Sequence, residues 1–354
     1  MEKPLNISTP DRQCWIGQGH PTFIIAEMSA NHGHSIQKAK KIMAEAAQCG
    51  ADAVKLQTYT PDTMTLDCRT APFMIGKGTI WEGKNLYELY EEAHTPWEWH
   101  AELKAEAEQQ GLLFFSTPFD GTAVDFLEDL GVCFYKVSSF EIIDVPLLKR
   151  IAATGKPVIM STGMASLAEI DQAVRTLKAG GCPGLALLKC TSAYPASPEE
   201  MNLKTIPHLA EAFGVPVGLS DHTLGFAVPV AAVALGACII EKHFTLSRTE
   251  PGPDSAFSLE PKEFKAMVQA IRETEKALGS VSYALTSGEK AGKVFRRSLF
   301  VVQDMAAGEF FTPQTVRSIR PGHGLDPEYY DIVLGKKCIK SVKKGTPMSW
   351  GLIG

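Results

Sequence analysis

Residues 217–243 read VGLSDHTLGFAVPVAAVALGACIIEKH. An apolar run, Val217–Leu219, breaks into polar residues ending at His222. A stretch of helical length, Gly225–Leu235, follows, and a second apolar run, Ala237–Lys242, closes on His243. Strand, helix and strand in one short stretch make a βαβ unit, because parallel strands need a crossover between them.

Working outward, the same unit recurs from about residue 20 to 280. Strands are predicted at Thr22–Ala26, Ala53–Gln57, Leu112–Ser116, Cys133–Val137, Pro157–Met160 and Ala186–Lys189, besides the two above. Helices are predicted between them at Ile36–Cys49, Trp97–Gln110, Thr122–Leu130, Val145–Ala153, Leu167–Ala179 and Met201–Ala212, with Pro261–Leu278 closing the series. Eight alternations over this length have the rhythm of a (β/α)8 TIM barrel, residues 1–280. A doubly wound open sheet is the alternative, but it carries a glycine fingerprint after its first strand. Here that strand ends in Ala26-Glu-Met-Ser.

Residues 281–290 lose the rhythm and read as a linker. Residues 291–354 show short strand candidates at Ser298–Val302, 308–311, Val316–Ile319 and Lys336–Val342, separated by glycine and proline, which predicts a small β-rich domain. The segment Asp62–Pro96 is long for a strand-to-helix connection and reads as a substrate wall or lid.

The 354 residues are 45 per cent apolar and 21 per cent charged, ordinary globular values that exclude a disordered or collagen-like chain. Eight scattered cysteines without a CxxC pair lack disulfide-framework or zinc-ribbon spacing and suit a reducing cytoplasm. No secretory leader is read at the start, and the longest apolar run, 226–240, is too short for a bilayer, so no membrane is expected. Residues 289–354 carry eleven Lys and Arg against six Asp and Glu, while the whole chain is at −5. A basic tail on an acidic body suits an anionic ligand or a plain solvated face. Basic and aromatic residues are not interleaved as base-stacking platforms need, so nucleic acid is not expected.

In such a barrel the chemistry sits where strands run out. The ends carry Glu27, Lys55 with Gln57, Ser116 with Thr117, Lys136 with Ser139 and Glu141, Ser161, Lys189 with Thr191, Ser220 with His222, and Lys242 with His243. His222 and His243 end neighbouring strands and suit a divalent ion, with Glu27 closing the ring, or else they are core histidines. Lys55 and Lys136 with the hydroxyls form a polyanion cradle, aided by backbone N–H groups around Gly163. The alternative is a Schiff-base lysine of a barrel aldolase.

The ordered motifs Ala26-Glu-Met-Ser-Ala-Asn-His-Gly, Val54-Lys-Leu-Gln-Thr, Ser116-Thr-Pro-Phe, Tyr135-Lys-Val-Ser-Ser, Ser161-Thr-Gly-Met, Ser220-Asp-His-Thr-Leu-Gly, Glu241-Lys-His-Phe-Thr and Pro251-Gly-Pro-Asp resemble the sialic acid synthase family. Ile319-Arg-Pro-Gly-His-Gly is similar to that family's C-terminal antifreeze-like (SAF) module. Gly78-Thr-Ile-Trp-Glu-Gly, Tyr87 and Thr95-Pro-Trp-Glu-Trp-His resemble its pseudaminic branch more than the N-acetylneuraminic one, with the legionaminic and neuraminic branches as alternatives.

The resemblance implies condensation of phosphoenolpyruvate with an open-chain amino-sugar aldehyde, here 2,4-diacetamido-2,4,6-trideoxy-altrose, to a nine-carbon 2-keto acid and phosphate. It implies Lys55, Thr117, Lys136, Ser139, Ser161, Ser192 and Ser220 as phosphoenolpyruvate ligands, and Gln57, Glu141, Tyr194, Asp254 and Arg320 as sugar ligands. A divalent metal, manganese first with magnesium or cobalt as alternatives, is implied on His222 and His243, with Glu27 as the candidate for water activation or proton transfer. A homodimer is implied, the SAF domain of one copy capping the partner barrel through Arg320. Two positions depart from the neuraminic pattern: Ser192 stands where asparagine is usual, and Phe140 where glycine is.

Overall fold

A computed structural model describes residues 3–9, 12–76, 81–250 and 252–354. The chain forms two compact units that divide after Gly279. In the first, a hairpin of β1 (Leu5–Ser8) and β2 (Gln13–Ile16) precedes the barrel. The barrel strands are β3 (Phe23–Glu27), β4 (Ala53–Thr58), β5 (Leu113–Pro118), β6 (Tyr135–Val137), β7 (Val158–Ser161), β8 (Leu185–Cys190), β9 (Val217–Asp221) and β10 (Ile239–His243). They pair in parallel and in sequence order, and β10 returns to β3 with His243 opposite Glu27, closing the barrel.

All eight predicted strands are present, several shifted by one or two residues. Among the helices, 167–179 and 261–278 match as predicted, while the stretch from 97 splits into a 3-10 turn, Trp97–Trp99, and a helix, His100–Gln109. Local chemistry sets these ends. Ser166 accepts from the backbone N–H of Glu169, whose carboxylate answers to the Ser166 backbone, a reciprocal cap that starts 167–179. Gly131, at φ 73°, takes the left-handed turn that ends the helix Gly121–Leu130.

Strand parity separates two cores. Phe23, Ile25, Leu113, Phe115, Phe134, Ile159, Leu188 and Ile239 point inward and pack with Leu5, Ile7 and Ile16 of the hairpin. The alternate residues, such as Ile24, Val54, Leu56, Met160 and Ile240, pack outward against the helices. The barrel interior is therefore filled with apolar side chains.

In the second unit β11 (Ser298–Val301) pairs antiparallel with β12 (Val316–Ile319) around Leu299, Val301, Phe311, Val316 and Val333. The other two predicted strands are absent as such: Phe310 with Lys337, and Met305 with Val342, make isolated bridges only. The helix Ser287–Gly292 overlaps the expected linker 281–290. Glycine and proline turns leave too few consecutive residues for longer ladders.

Candidate active site

The parity that fills the barrel also builds its mouth. Following Ile25, Ala53, Phe115, Phe134, Ile159 and Ile239 by two residues along each strand gives Glu27, Lys55, Thr117, Lys136, Ser161 and Glu241, all inward and all buried. Lys55 Nζ lies 2.7 Å from Glu27 Oε2 and 3.5 Å from Glu241 Oε1, and donates to Thr117 Oγ1 at 3.4 Å. Lys136 Nζ donates to Ser161 Oγ at 2.6 Å and stands 4.0 Å from the same Glu241 oxygen. Ser220 donates to it at 3.2 Å. Two ammonium groups and a hydroxyl thus converge on one anionic oxygen.

Their charges are set by these neighbours. Burial pushes the Glu27 carboxyl up to about 7, with Lys55 opposing and Glu241 adding to the rise. Burial works against Glu241 too, but Lys136 and Lys55 outweigh it and hold that carboxyl below its ordinary value. Lys55 is raised because the two carboxylates overcome its burial, whereas burial wins at Lys136 and lowers it. An internal carboxylate, Glu241, sits between the two lysines of the expected cradle. Sequence reasoning passed over Glu241, although it lies two residues before His243 on the same face of the strand. The same parity corrects Lys189, Lys242 and Ser116. Lys242 faces outward in a fully buried pair with Asp221 at 2.5 Å. Lys189 is engaged with the Cys190 carbonyl and Thr191, and Ser116 bonds Thr58 behind the barrel wall.

The two histidines meet as predicted, ring centroids 5.3 Å apart, with Phe257 edge-on at 4.9 Å from His243 and Tyr194 at 4.5 Å from His222. His222 Nδ1 lies 3.1 Å from the Thr191 carbonyl, which assigns a proton there; burial works against the charged ring, but Cys190 and that carbonyl outweigh it and raise His222 above its ordinary value. Burial, then the charge of His222, holds His243 well below its ordinary value, so its imidazole is neutral. His243 Nδ1, Glu241 Oε2 and Glu27 Oε1 are buried without a hydrogen-bond partner among the described residues. Such orphaned atoms cost roughly 1–3 kcal/mol each and mark a place built for a ligand. The imidazole pair fits a divalent ion. The expectation that Glu27 completes a ring of three ligands is not met: among the described residues no three His, Cys, Asp or Glu side chains are placed to hold an ion, and Glu27 is engaged by Lys55.

These groups open onto a cavity of about 360 Å³ that also takes in Gln57, Ser139, Glu141, Tyr194 and Asp254. Gly163 N donates to Ser139 Oγ at 3.0 Å. A Cβ on Gly163 would stand 2.3 Å from Ser192 Oγ and 2.7 Å from Ser139 Oγ, so only glycine lets both hydroxyls approach. Asp254 accepts from Ser29 Oγ at 2.5 Å and from the Ala30 N–H, tying the loop after β10 to the loop after β3. Glu141 is bonded by Ser138, and burial raises both Glu141 and Asp254. Ser192 lies beside Cys190, with Oγ 3.7 Å from Sγ. Arg320 is exposed in the second unit, directly after β12. Of the wall motif at 78–83, residues 78–80 lie outside the described residues, as does Pro251. Trp81 donates to the Pro253 carbonyl at 3.2 Å, and Tyr87 donates to Asp62 at 3.3 Å.

Comparison with known proteins agrees with this geometry. Residues 42–283 match the NeuB family and residues 296–353 the SAF domain. The chain is 47% identical over 329 residues to pseudaminic acid synthase of Campylobacter jejuni, covering 93% of this chain and 96% of that one. It is 44% identical over 330 residues to that of Helicobacter pylori, at 93% and 97% coverage. The crystal structure of N-acetylneuraminic acid synthetase from Leptospira borgpetersenii superposes with a TM-score of 0.72 at 33% identity, covering 82% of this chain and 95% of that one. No helix among the described residues is long and apolar enough to cross a membrane. The chain is an enzyme of the NeuB family, a (β/α)8 barrel followed by a SAF domain, with pseudaminic acid synthases among its relatives.

Proposed function

We propose that this enzyme condenses phosphoenolpyruvate with 2,4-diacetamido-2,4,6-trideoxy-altrose, giving pseudaminic acid and inorganic phosphate. The observation that carries the reading is the convergence of Lys55, Lys136 and Ser220 on a single anionic oxygen beside two neutral-capable imidazoles. That arrangement holds a phosphate or carboxylate oxygen by charge-assisted bonds. Ser139 and Ser161 supply further donors around it, as would Thr117 beside Lys55 and Ser192 beside Gly163, while Gln57, Glu141, Tyr194 and Asp254 face the space a sugar would fill.

In the reaction, carbon 3 of phosphoenolpyruvate attacks the aldehyde carbon, the new alkoxide takes a proton, and an oxocarbenium forms at carbon 2. Water adds to carbon 2 and loses its proton; the tetrahedral intermediate then expels phosphate by C–O cleavage, leaving the 2-keto acid. Glu27, its carboxyl raised by burial to about 7, would move that proton. A divalent ion on His222 and His243, manganese or else magnesium or cobalt, would polarise the aldehyde as a Lewis acid. Lys55 and Lys136 balance the charge of the phosphoryl group throughout. In a homodimer, Arg320 from the other copy's SAF domain would cap the barrel mouth, offer bidentate donors to the sugar and limit water. An enzyme drawing on phosphoenolpyruvate would work in the cytoplasm.

The test is a phosphate-release assay with phosphoenolpyruvate and, in turn, N-acetylmannosamine and the altro- and manno-configured diacetamido sugars, with and without chelator. Release with the altro sugar that chelation abolishes supports the reading; release with N-acetylmannosamine alone overturns the sugar assignment. The lowered Lys136 favours a Schiff-base reading as a second possibility. Borohydride trapping of pyruvate on Lys136, with activity surviving chelation, would establish it instead.

A further inference from the structure

The cavity has two unlike halves. Its floor is ionic, while the segment following β4 roofs it with hydrocarbon from Met64, Ile75 and the helix Leu86–Ala93. That helix turns Leu86, Leu89, Tyr90 and Ala93 toward the cavity. The spacing i, i+3, i+4, i+7 is the stripe by which a helix normally buries itself in a core. Here the stripe lines a space beside the reacting groups. It is held rigidly: the Tyr90 ring packs edge-on against Tyr59 at 5.7 Å, and Asn85 with Glu88 caps the helix start reciprocally.

Resting on the condensation reading above, we propose that this wall is a specificity element that reads the methyl group at C6 of the sugar. The aldehyde carbon must lie at the floor, where the imidazoles and lysines are. The wall belongs to chain that follows the strand end, above that floor, so the opposite end of the open-chain sugar meets it. A methyl there buries without needing a partner. A hydroxyl at C6 would be desolvated against Met64, Ile75, Leu86, Leu89 and Ala93, none of which offers a side-chain acceptor; the Tyr90 hydroxyl is the one polar side-chain atom of the helix stripe. Trp81 does not compensate, because its indole N–H is given to the Pro253 carbonyl. An apolar pocket rejects an added hydroxyl by about 100-fold at most, a bound on what this wall achieves.

The experiment compares kcat/KM, by phosphate release, for 2,4-diacetamido-2,4,6-trideoxy-altrose and its 6-hydroxy counterpart, in the full-length enzyme and in Met64→Gln and Ala93→Ser. Each substitution puts a polar group in the wall at little change of volume. The expected result is a preference of about 100-fold for the 6-deoxy sugar, falling to about tenfold in each variant, with the KM for phosphoenolpyruvate unmoved. Equal use of both sugars by the unmodified enzyme overturns the inference while leaving the condensation reading intact. So does a preference unchanged in both variants. If neither these nor the other sugars tested release phosphate, the condensation reading itself fails and the inference with it.

Discussion

Lys55 is locked between two buried carboxylates, 2.7 Å from Glu27 and 3.5 Å from Glu241. Removing one partner of a buried pair strands the other's charge. Lys55→Met is expected to destabilise the protein by about 3–5 kcal/mol in chemical denaturation. Glu27→Gln keeps the shape and leaves Lys55 its second partner, Glu241, so it is expected to cost less stability than Lys55→Met while kcat falls roughly 10²–10⁴-fold, the range for a lost proton-transfer group. Glu27→Gln with near-normal kcat would reduce Glu27 to a charge partner of Lys55.

Glu241 occupies the geometry of a bound anion. In Glu241→Gln the two lysines lose that internal counter-charge, so added phosphate should stabilise the variant more than the parent. The rise in Tm per tenfold increase in phosphate, measured by thermal unfolding, is expected to be larger in the variant. Identical responses would mean that the Glu241 oxygen and an external anion do not share these donors.

Gly163→Ala forces a carbon into the space now shared by the hydroxyls of Ser139 and Ser192. Displacement on the scale of an ångström costs on the order of 100-fold in a positioned site. The loss is expected in the KM for phosphoenolpyruvate rather than for the sugar, read from initial rates at saturating second substrate.

His32 and His100 are buried, and burial holds them down at about 3 and about 4. His32 accepts the His34 N–H on Nδ1 and so donates from Nε2 to Thr95; His100 donates from Nδ1 to the Pro96 carbonyl and accepts from Thr58. Both are neutral when folded and gain a proton near 6.5 when unfolded. Their contribution is complete above that value and declines as pH falls toward the folded values, by about 2 kcal/mol each at pH 5. Urea unfolding followed by tryptophan fluorescence should show stability falling between pH 7 and 5, and falling less steeply in His100→Asn. An unchanged slope would place the acid sensitivity elsewhere.

Arg320→Ala is expected to raise the KM for the sugar and leave that for phosphoenolpyruvate, while equal losses in both would confine the SAF domain to holding a dimer together. Sedimentation of the variant distinguishes the two outcomes.

The barrel was legible because alternating strand and helix patterns depend on local periodicity, which survives in any sequence. Lys55, Lys136, His222 and His243 were legible because a charged group at a strand end has few other uses. Glu241 was missed, and Lys189 and Lys242 misplaced, because the reading took strand ends as a set without asking which way each residue pointed. His243 inward makes Glu241 inward and Lys242 outward, a deduction the sequence permits. The hairpin Leu5–Ile16 and the apolar stripe at 86–93 have no such signal: each is short, and what it covers is fixed only by tertiary packing.

The hairpin sealing the lower end of the barrel has a kinetic meaning. With Leu5, Ile7 and Ile16 stoppering one side and Phe23, Phe115 and Phe134 filling the shaft, the cavity opens, among the described residues, at the opposite end of the barrel. On the proposed chemistry a three-carbon acid bound on the lysines would lie deepest, and a sugar lodged under the roof would bar its path. On the proposed chemistry the acid therefore arrives first, and phosphate cannot depart until the nine-carbon product has gone or moved aside.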